Sequence, residues 1–206
     1  MSILVISLLL GLAAQQLPPP NLVENGDARA GATGWQRERS SQRTATQLND
    51  DASVETRDGA PCFVMRNGVS WIQQVRLHEN QEGKFLLIIG RGSSERVHAD
   101  DNITGLPYLW ARIVNGLPPS NDNVFQGMRL SSKTPNEWGT IHGIFRMPNG
   151  ARGITLKLAQ AQRKGTPQNG SAARIRDVEM RVFDTRAEAD AYVALYTALH
   201  DPNRAR

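Results

Sequence analysis

Two aromatic residues and an arginine alternate along one short segment of this sequence. Tyr108, Trp110 and Arg112 occupy every second position, with apolar residues at the positions between them. Side chains point to alternate faces of a β-strand, so these three residues share one face and the apolar row takes the other. Aromatic rings cover flat apolar surfaces of a ligand, and a guanidinium bonds its oxygens. The pattern predicts a ligand-binding strand face; the alternatives are that the two faces are reversed, or that a helix or loop covers these side chains.

A second segment, residues 70–77, contains two further candidate ligand residues. Trp71 and Gln74 lie on opposite faces of a strand, so only one of them can share a surface with the first set. We keep both as candidates, although the apolar residues that alternate with Gln73 favour a core position for Trp71.

The sequence has no pattern typical of a metal centre. Cys62 is the only cysteine, which excludes an intrachain disulfide and a cysteine zinc site, and a small buried side chain is its expected role. The histidines have no spacing that would place several of them on one metal ion. They are His78, His98, His142 and His200. We therefore predict no metal ligand and no cofactor.

No set of residues stands out as catalytic. A glycosidase needs two facing carboxylates, and Asp100 or Asp101 with Glu137 is one pair among many. A lyase-like set is also conceivable, formed by Tyr108, Arg112 and His142. Because nothing distinguishes these sets from others, the sequence predicts a protein that is not an enzyme.

Short apolar runs separated by turns must position these residues. Between 22 and 184 there is no long helical period, which is typical of an all-β sandwich. The length of 206 residues suits one domain. Asn67-Gly68, between two predicted strands, predicts a β-hairpin. The continuous apolar run 85–89 predicts a central strand that is covered on both faces.

The C-terminal segment has a different period. Thr185 and Glu188 form a capping box, and apolar residues at helical spacing follow until Pro202 ends the pattern. We predict one helix over 185–201 that packs on the sandwich. A docking helix for a partner protein is the alternative.

The N-terminal segment indicates export. Residues 3–14 are apolar but too few to span a bilayer, which takes about 20 residues. They suit the apolar region of a secretory signal. We therefore predict a signal peptide over 1–14, a Pro-rich linker over 15–20, and a secreted protein, extracellular or periplasmic, with no membrane span.

The formal net charge of +4 comes mostly from scattered arginines. Scattered arginine is typical of a solvated surface, and a nucleic-acid site would show a denser basic stripe. A net positive charge is compatible with an acidic ligand. Weak attraction to an acidic polysaccharide is therefore an open alternative.

The segment from Asn21 to Trp35 reads NLVENGDARAGATGW. It resembles the opening line of carbohydrate-binding modules with the galactose-binding-like jelly-roll fold, NLV-x-NGDFE-x-G-x-x-GW. The segment departs from that line at Ala28 and Arg29. Later matches to motifs of the same family extend the resemblance to about Phe183. These are Gln73, Trp138, Gly143, Phe145, Pro148, Asp177 and Val178.

The resemblance implies a jelly-roll β-sandwich over 21–184, similar to cellulose- and xylan-binding modules. Such a module would bind a polysaccharide or oligosaccharide without catalysing a reaction. We expect it to be a monomer. The resemblance also implies core positions for Trp35 and Trp138. Two alternatives remain: a secreted module that attaches to a protein or cell wall, and a jelly-roll polysaccharide hydrolase or lyase.

The same family often holds a structural calcium between its opening and closing strands. Calcium takes six to eight oxygen ligands. At two acidic positions of the family's lines this chain has Arg29 and Arg176, which disfavours the ion. We predict that Arg29 instead pairs with Asp177 and ties the two strands together. The alternative is a shifted site in which Asp27 or Glu24 supplies a ligand.

Overall fold

The structure, a computed structural model, describes residues 17–38, 50–99, 102–115, 124–162 and 170–200. Two antiparallel sheets of five strands each pack face to face, and one helix follows them, which confirms the predicted all-β sandwich with a C-terminal helix. Among the described residues, no helix has the length and apolar character needed to cross a lipid bilayer.

The first sheet has the strand order β1-β4-β9-β6-β7, and the second has the order β2-β3-β10-β5-β8. The strands of the first sheet are β1 (Gln36–Glu38), β4 (Ser70–Arg76), β6 (Pro107–Asn115), β7 (Val124–Arg129) and β9 (Ala151–Gln160). Those of the second sheet are β2 (Ala52–Arg57), β3 (Ala60–Met65), β5 (Phe85–Ser94), β8 (Gly139–Arg146) and β10 (Ala173–Phe183). The helix α1 spans Arg186–Leu199.

The core lies between the two sheets, and strand alternation fills it. The apolar row of β6 points inward: Leu109, Ala111 and Ile113 are at most 1% exposed. On the neighbouring strand β9, Leu158 pairs with Leu109 and is equally buried. The predicted orientation of this strand is therefore confirmed, and its polar and aromatic residues face outward.

Strand β5 is an interior strand of the second sheet, paired with β10 and β8, and it is covered on both faces as its apolar run predicts. Leu86 and Ile88 belong to the core between the sheets, whereas Leu87 and Ile89 point to the other face and contact α1. All four side chains are fully buried. A continuous apolar run is needed here because both faces of the strand are covered.

The predicted hairpin at Asn67-Gly68 is wrong. Both residues have positive φ, 51° and 75°, so the turn forms, but β3 and β4 on either side of it belong to different sheets. The chain crosses from one layer of the sandwich to the other at this point. The hairpin of this region joins β2 and β3 through Asp58 and Gly59, which also have positive φ.

The opening segment crosses the edge of the sandwich and is held by a glutamine of β4. Gln73 accepts a hydrogen bond from the Glu24 N–H at 3.0 Å and donates to the Glu24 and Gly34 carbonyls at 2.9 and 3.2 Å. Trp35 is 6% exposed and packs on Phe63 with 4.9 Å between ring centroids. The predicted core position of Trp35 is confirmed.

Gly26 brings the opening segment into contact with the closing strand β10. Its carbonyl accepts a hydrogen bond from the Val178 N–H at 2.9 Å. A Cβ at Gly26 would overlap the Val178 carbonyl, so the close approach requires glycine. The two ends of the domain are joined by backbone contact here.

Candidate functional site

The outer face of the first sheet collects most of the predicted ligand residues. On β6, Tyr108 and Trp110 are half-buried and Arg112 is exposed. They lie on the face opposite the core row, and α1 packs on the second sheet, away from them. This surface, called here the first-sheet face, also carries outward residues of β1, β4, β7 and β9.

Trp110 is flanked by an ion pair that runs across three strands. Lys157 is its register partner on β9, with the ammonium 5.9 Å from the centre of the indole ring. Lys157 forms an ion pair with Glu38, which also accepts a hydrogen bond from the Ser70 hydroxyl at 2.7 Å. Burial opposes ionisation of Glu38, but the bonds from Lys157 and Ser70 outweigh it and lower the pKa of this carboxyl. The lysine is thus held beside the ring.

Gln74 joins Arg112 on the same face through the strand between them. Thr155 of β9 pairs with both residues in the sheet register. Its hydroxyl donates to Oε1 of Gln74 at 2.8 Å. This bond uses the oxygen of an exposed amide, whose nitrogen carries two further N–H donors that could bond a ligand.

Trp71 is not part of this face. It is 1% exposed, its indole N–H donates to the Val64 carbonyl at 3.2 Å, and its ring packs on Phe63. Its inclusion among the ligand residues is corrected: the side chain fills the core, as the apolar residues on its strand face favoured. Gln74, on the opposite face of β4, is the one that shares the surface with β6.

Gly127 makes room for Tyr108, and sequence reasoning missed it. The glycine lies on β7 opposite Trp110, and a Cβ added there would overlap the phenol group of Tyr108. The tyrosine ring therefore lies over the neighbouring strand. A glycine inside a strand pattern is the available signal, since it often marks a close approach of other atoms.

The outer face of the second sheet carries another aromatic residue with arginines. The expected core position of Trp138 is wrong: the ring lies on this face, half-buried, against Cys62, Val64 and Ala172. The Arg176 guanidinium carbon lies 4.1 Å from the ring centre, and the indole N–H donates to Asp58 at 2.8 Å. Burial raises the pKa of the Cys62 thiol to about 11, so it stays protonated.

The predicted pair between Arg29 and Asp177 is wrong. Arg29 is exposed and lies 3.3 Å from Asp27, its near neighbour in the chain. Asp177 instead lies 3.5 Å from Arg176 and 4.0 Å from His200. A local partner is reached with less ordering of the chain than a distant one, so each arginine pairs with an adjacent carboxylate.

The residues between the opening and closing strands do not fit a calcium site. A cavity of about 220 Å³ lies there, and its carboxylates are Asp27, Asp177 and Glu179. Each of them is paired with an arginine of its own strand segment. No group of three or more His, Cys, Asp or Glu side chains in the described ranges could hold a metal ion. The guanidinium groups neutralise the carboxylate charge that a calcium ion would need for binding.

The lyase-like set is not brought together. His142 lies on β8 of the second sheet and is exposed, whereas Tyr108 and Arg112 lie on the opposite side of the sandwich. Asp100 and Asp101 lie outside the described residues. Glu137 is exposed and accepts a hydrogen bond from the Ser132 hydroxyl at 2.8 Å.

A larger cavity, about 720 Å³, opens between the linker, the end of β4 and the helix. Its lining is mainly apolar, and two of its charged residues, Lys84 and Asp184, pair with each other at 3.1 Å. The rim includes Leu17 and Leu195, which are 87% and 50% exposed.

No family model and no curated protein sequence matches this chain. Solved structures do. The enzymatically active domain of tailspike protein 4 from bacteriophage CBA120 is 13% identical with a TM-score of 0.53, covering 79% of this chain and 21% of that one. The CBM22-1-CBM22-2 tandem domain of Xyn10C from Paenibacillus barcinonensis is 12% identical with a TM-score of 0.51, covering 84% and 48%.

A third structure combines such a module with an enzyme. The CBM22-1-GH10 modules of xylanase 10B from Clostridium thermocellum, complexed with xylohexaose, are 12% identical with a TM-score of 0.50, covering 80% of this chain and 29% of that one. This chain thus spans less than half the length of each of these three chains. The likeness establishes the fold, which is the jelly-roll sandwich of carbohydrate-binding modules, and so confirms the predicted resemblance at the level of structure.

Proposed function

We propose that this protein binds polysaccharide through the first-sheet face and leaves the chain intact. One observation carries the proposal: Tyr108, Trp110, Arg112 and Gln74 lie on the same open face of one sheet. The fold supports it, because carbohydrate-binding modules are among the structures that share this sandwich.

The chemistry of the face suits a sugar chain. Sugar rings have flat apolar faces rimmed by hydroxyls, so Tyr108 and Trp110 would cover the flat faces. Two residues apart on one strand, they lie about 7 Å from each other along it. Arg112 and Gln74 would donate hydrogen bonds to the hydroxyls at the rim. An extended chain could then lie across the strands.

The placement of the charged groups supports binding without cleavage of the sugar chain. General acid–base cleavage of a glycosidic bond needs two carboxyl groups that face each other across the chain. Among the described residues the strands of this face contribute the single carboxylate of Glu38, and Lys157 and Ser70 hold it. We also propose that the protein is exported after removal of residues 1–14 and is monomeric; the mass of the mature secreted protein tests both.

The test is a glycan array followed by titration of the best ligand into the wild-type protein and two tryptophan variants. Trp110→Ala should weaken binding about tenfold or more, since it removes a stacking platform. Trp138→Ala is the matched control, because it removes a half-buried tryptophan from the outer face of the other sheet. Circular dichroism establishes that both variants fold. Unchanged binding by Trp110→Ala, or equal losses in the two variants, would show that the site is elsewhere.

A further inference from the structure

The strands of the first-sheet face carry more cations than carboxylates. Its outward strand positions carry four cations, Arg76, Arg112, Arg129 and Lys157, against the one carboxylate of Glu38. Among the described residues this is a formal excess of three positive charges on a face whose ligand residues are otherwise neutral. Nearby charges of one sign raise the local concentration of ions of the other sign.

The cations surround the aromatic pair. Arg129 on β7 is the register partner of Tyr108, and Lys157 on β9 is the register partner of Trp110. Arg112 follows Trp110 on the same face of β6. Adjacent strands are about 4.8 Å apart, so a sugar stacked on either ring lies within reach of a cation on a neighbouring strand.

The other sheet of the same sandwich shows that this excess is not a general property of the surface. The outer face of the second sheet is also rich in arginine, and most arginines there have a carboxylate partner; among the described residues, Arg91 and Arg146 are the exceptions. The pairs are Arg57–Asp58 at 3.9 Å, Arg66–Glu55 at 3.1 Å, Arg174–Glu95 at 4.0 Å and Arg176–Asp177 at 3.5 Å.

On the first-sheet face, Arg76 and Arg129 form no ion pair with a carboxylate of the described part of the chain. Both lie on regular strands. Within the described part of the chain, most arginines of the second sheet's outer face are thus paired, whereas Arg76 and Arg129 of the first-sheet face are not. The face with these two unpaired arginines is also the one that carries Tyr108 and Trp110.

We propose that the polysaccharide bound by the first-sheet face is acidic, with carboxylate-bearing sugars of the uronate class. The inference rests on the proposed function and names its ligand class. A guanidinium has a planar fork of donors that matches a carboxylate with two parallel hydrogen bonds. Arg129 lies beside Tyr108 and would bind the carboxylate of a sugar that stacks on the tyrosine ring.

The test compares chains that differ only in their charge. Polygalacturonate, alginate and glucuronoxylan are each titrated into the protein beside the same polymer with its carboxyl groups reduced to alcohols. We expect at least one acidic polymer to bind about tenfold or more tightly than its reduced form at low ionic strength. The preference should collapse in about 1 M salt, where the Debye length is about 3 Å.

A pair of arginine variants locates the effect. Arg129→Ala should weaken binding of the acidic polymer by roughly twofold to fivefold, the range for an exposed charge pair. Arg146→Ala is the matched control and should bind as the wild type does. Both residues are exposed and end an edge strand, β7 in the first sheet and β8 in the second, and both variants lose one positive charge.

The outcomes separate the two proposals. If the reduced polymers bind as tightly as the acidic ones and Trp110→Ala abolishes this binding, the acidic preference is wrong and the proposed function stands. Equal losses in Arg129→Ala and Arg146→Ala would also overturn the preference, since they would show a response to net charge alone. If no polysaccharide binds, acidic or neutral, both proposals fail.

Discussion

Gln73 and Gln74 are adjacent in the chain and have different roles because they point to opposite faces of β4. Gln73 is 6% exposed and makes three hydrogen bonds to the backbone of the opening segment. Gln74 is exposed and makes one bond, to Thr155. A buried amide with full hydrogen bonding is costly to replace, whereas an exposed one can exchange its partner for water.

Replacing these two glutamines in turn should separate a structural residue from a surface residue. Gln73→Leu leaves the Glu24 N–H and the Gly34 carbonyl without these partners, at about 1–3 kcal/mol for each group, while the Glu24 carbonyl keeps its bond from the Trp35 indole. We expect a loss of about 2–4 kcal/mol in the free energy of unfolding, and a change within about 0.5 kcal/mol for Gln74→Leu. Urea denaturation of both variants measures this. Similar losses in the two variants would contradict the role given to Gln73.

At the scale of the element, helix α1 has one buried face and one exposed face. Ala189 and Tyr196 are at most 2% exposed and pack with Leu87 of β5, and the Tyr196 hydroxyl donates to the Asp177 carbonyl at 2.5 Å. Burial raises the pKa of Tyr196 well above its usual range, so this hydroxyl stays protonated. The packing role predicted for the helix is confirmed.

Two neighbouring positions of the helix test that packing. Tyr196→Ala removes a fully buried ring and should lower the free energy of unfolding by about 3–5 kcal/mol. Leu195→Ala is the control, since Leu195 is 50% exposed on the other side of the helix. We expect it to change stability by about 0.5 kcal/mol or less. A helix that contributes only to docking would give small changes for both variants in thermal and chemical unfolding.

At the scale of the whole molecule, the two ends of the sandwich are joined by direct hydrogen bonds. The Leu22 N–H donates to the Met180 carbonyl at 2.8 Å, and the Met180 N–H donates to the Asn21 side chain at 2.9 Å. These bonds add to the contact between Gly26 and Val178. The carboxylates beside these bonds are paired with arginines. The arginines neutralise the negative charge that would attract calcium.

A chelator should therefore leave the thermal stability of the protein unchanged. We expect the same Tm in EDTA, in buffer alone and with added calcium, because binding to the folded state is what would raise Tm. Differential scanning calorimetry of the purified protein measures all three. A clear drop in EDTA that calcium restores would show that a metal is bound after all.

Strand and helix patterns in the sequence predicted much of the fold, because these patterns depend on residues that are neighbours in the chain. The alternation at 108–113 fixed which residues of β6 share a face, and the capping box at Thr185 marked the start of α1. The resemblance of the opening segment indicated the sandwich and the core position of Trp35. Whether Tyr108, Trp110 and Arg112 bind a sugar stays a prediction from that alternation.

Other features depend on partners far along the chain, and the sequence pattern misjudged several of them. Asn67-Gly68 has the backbone of a tight turn, yet long-range pairing places its two strands in different sheets. Trp138 is a large apolar residue with a core position in the motif, but the arginines and Asp58 hold it on an outer face.

The sequence by itself determined which residues alternate and where the turns and the helix begin. Only the tertiary structure decided that Trp71 is buried while Gln74 joins β6 at the surface, and that Arg29 pairs with Asp27 instead of Asp177. The physical reason is range. Backbone preference and strand alternation act between near neighbours, whereas burial and charge pairing depend on which strands the packing of two sheets brings together.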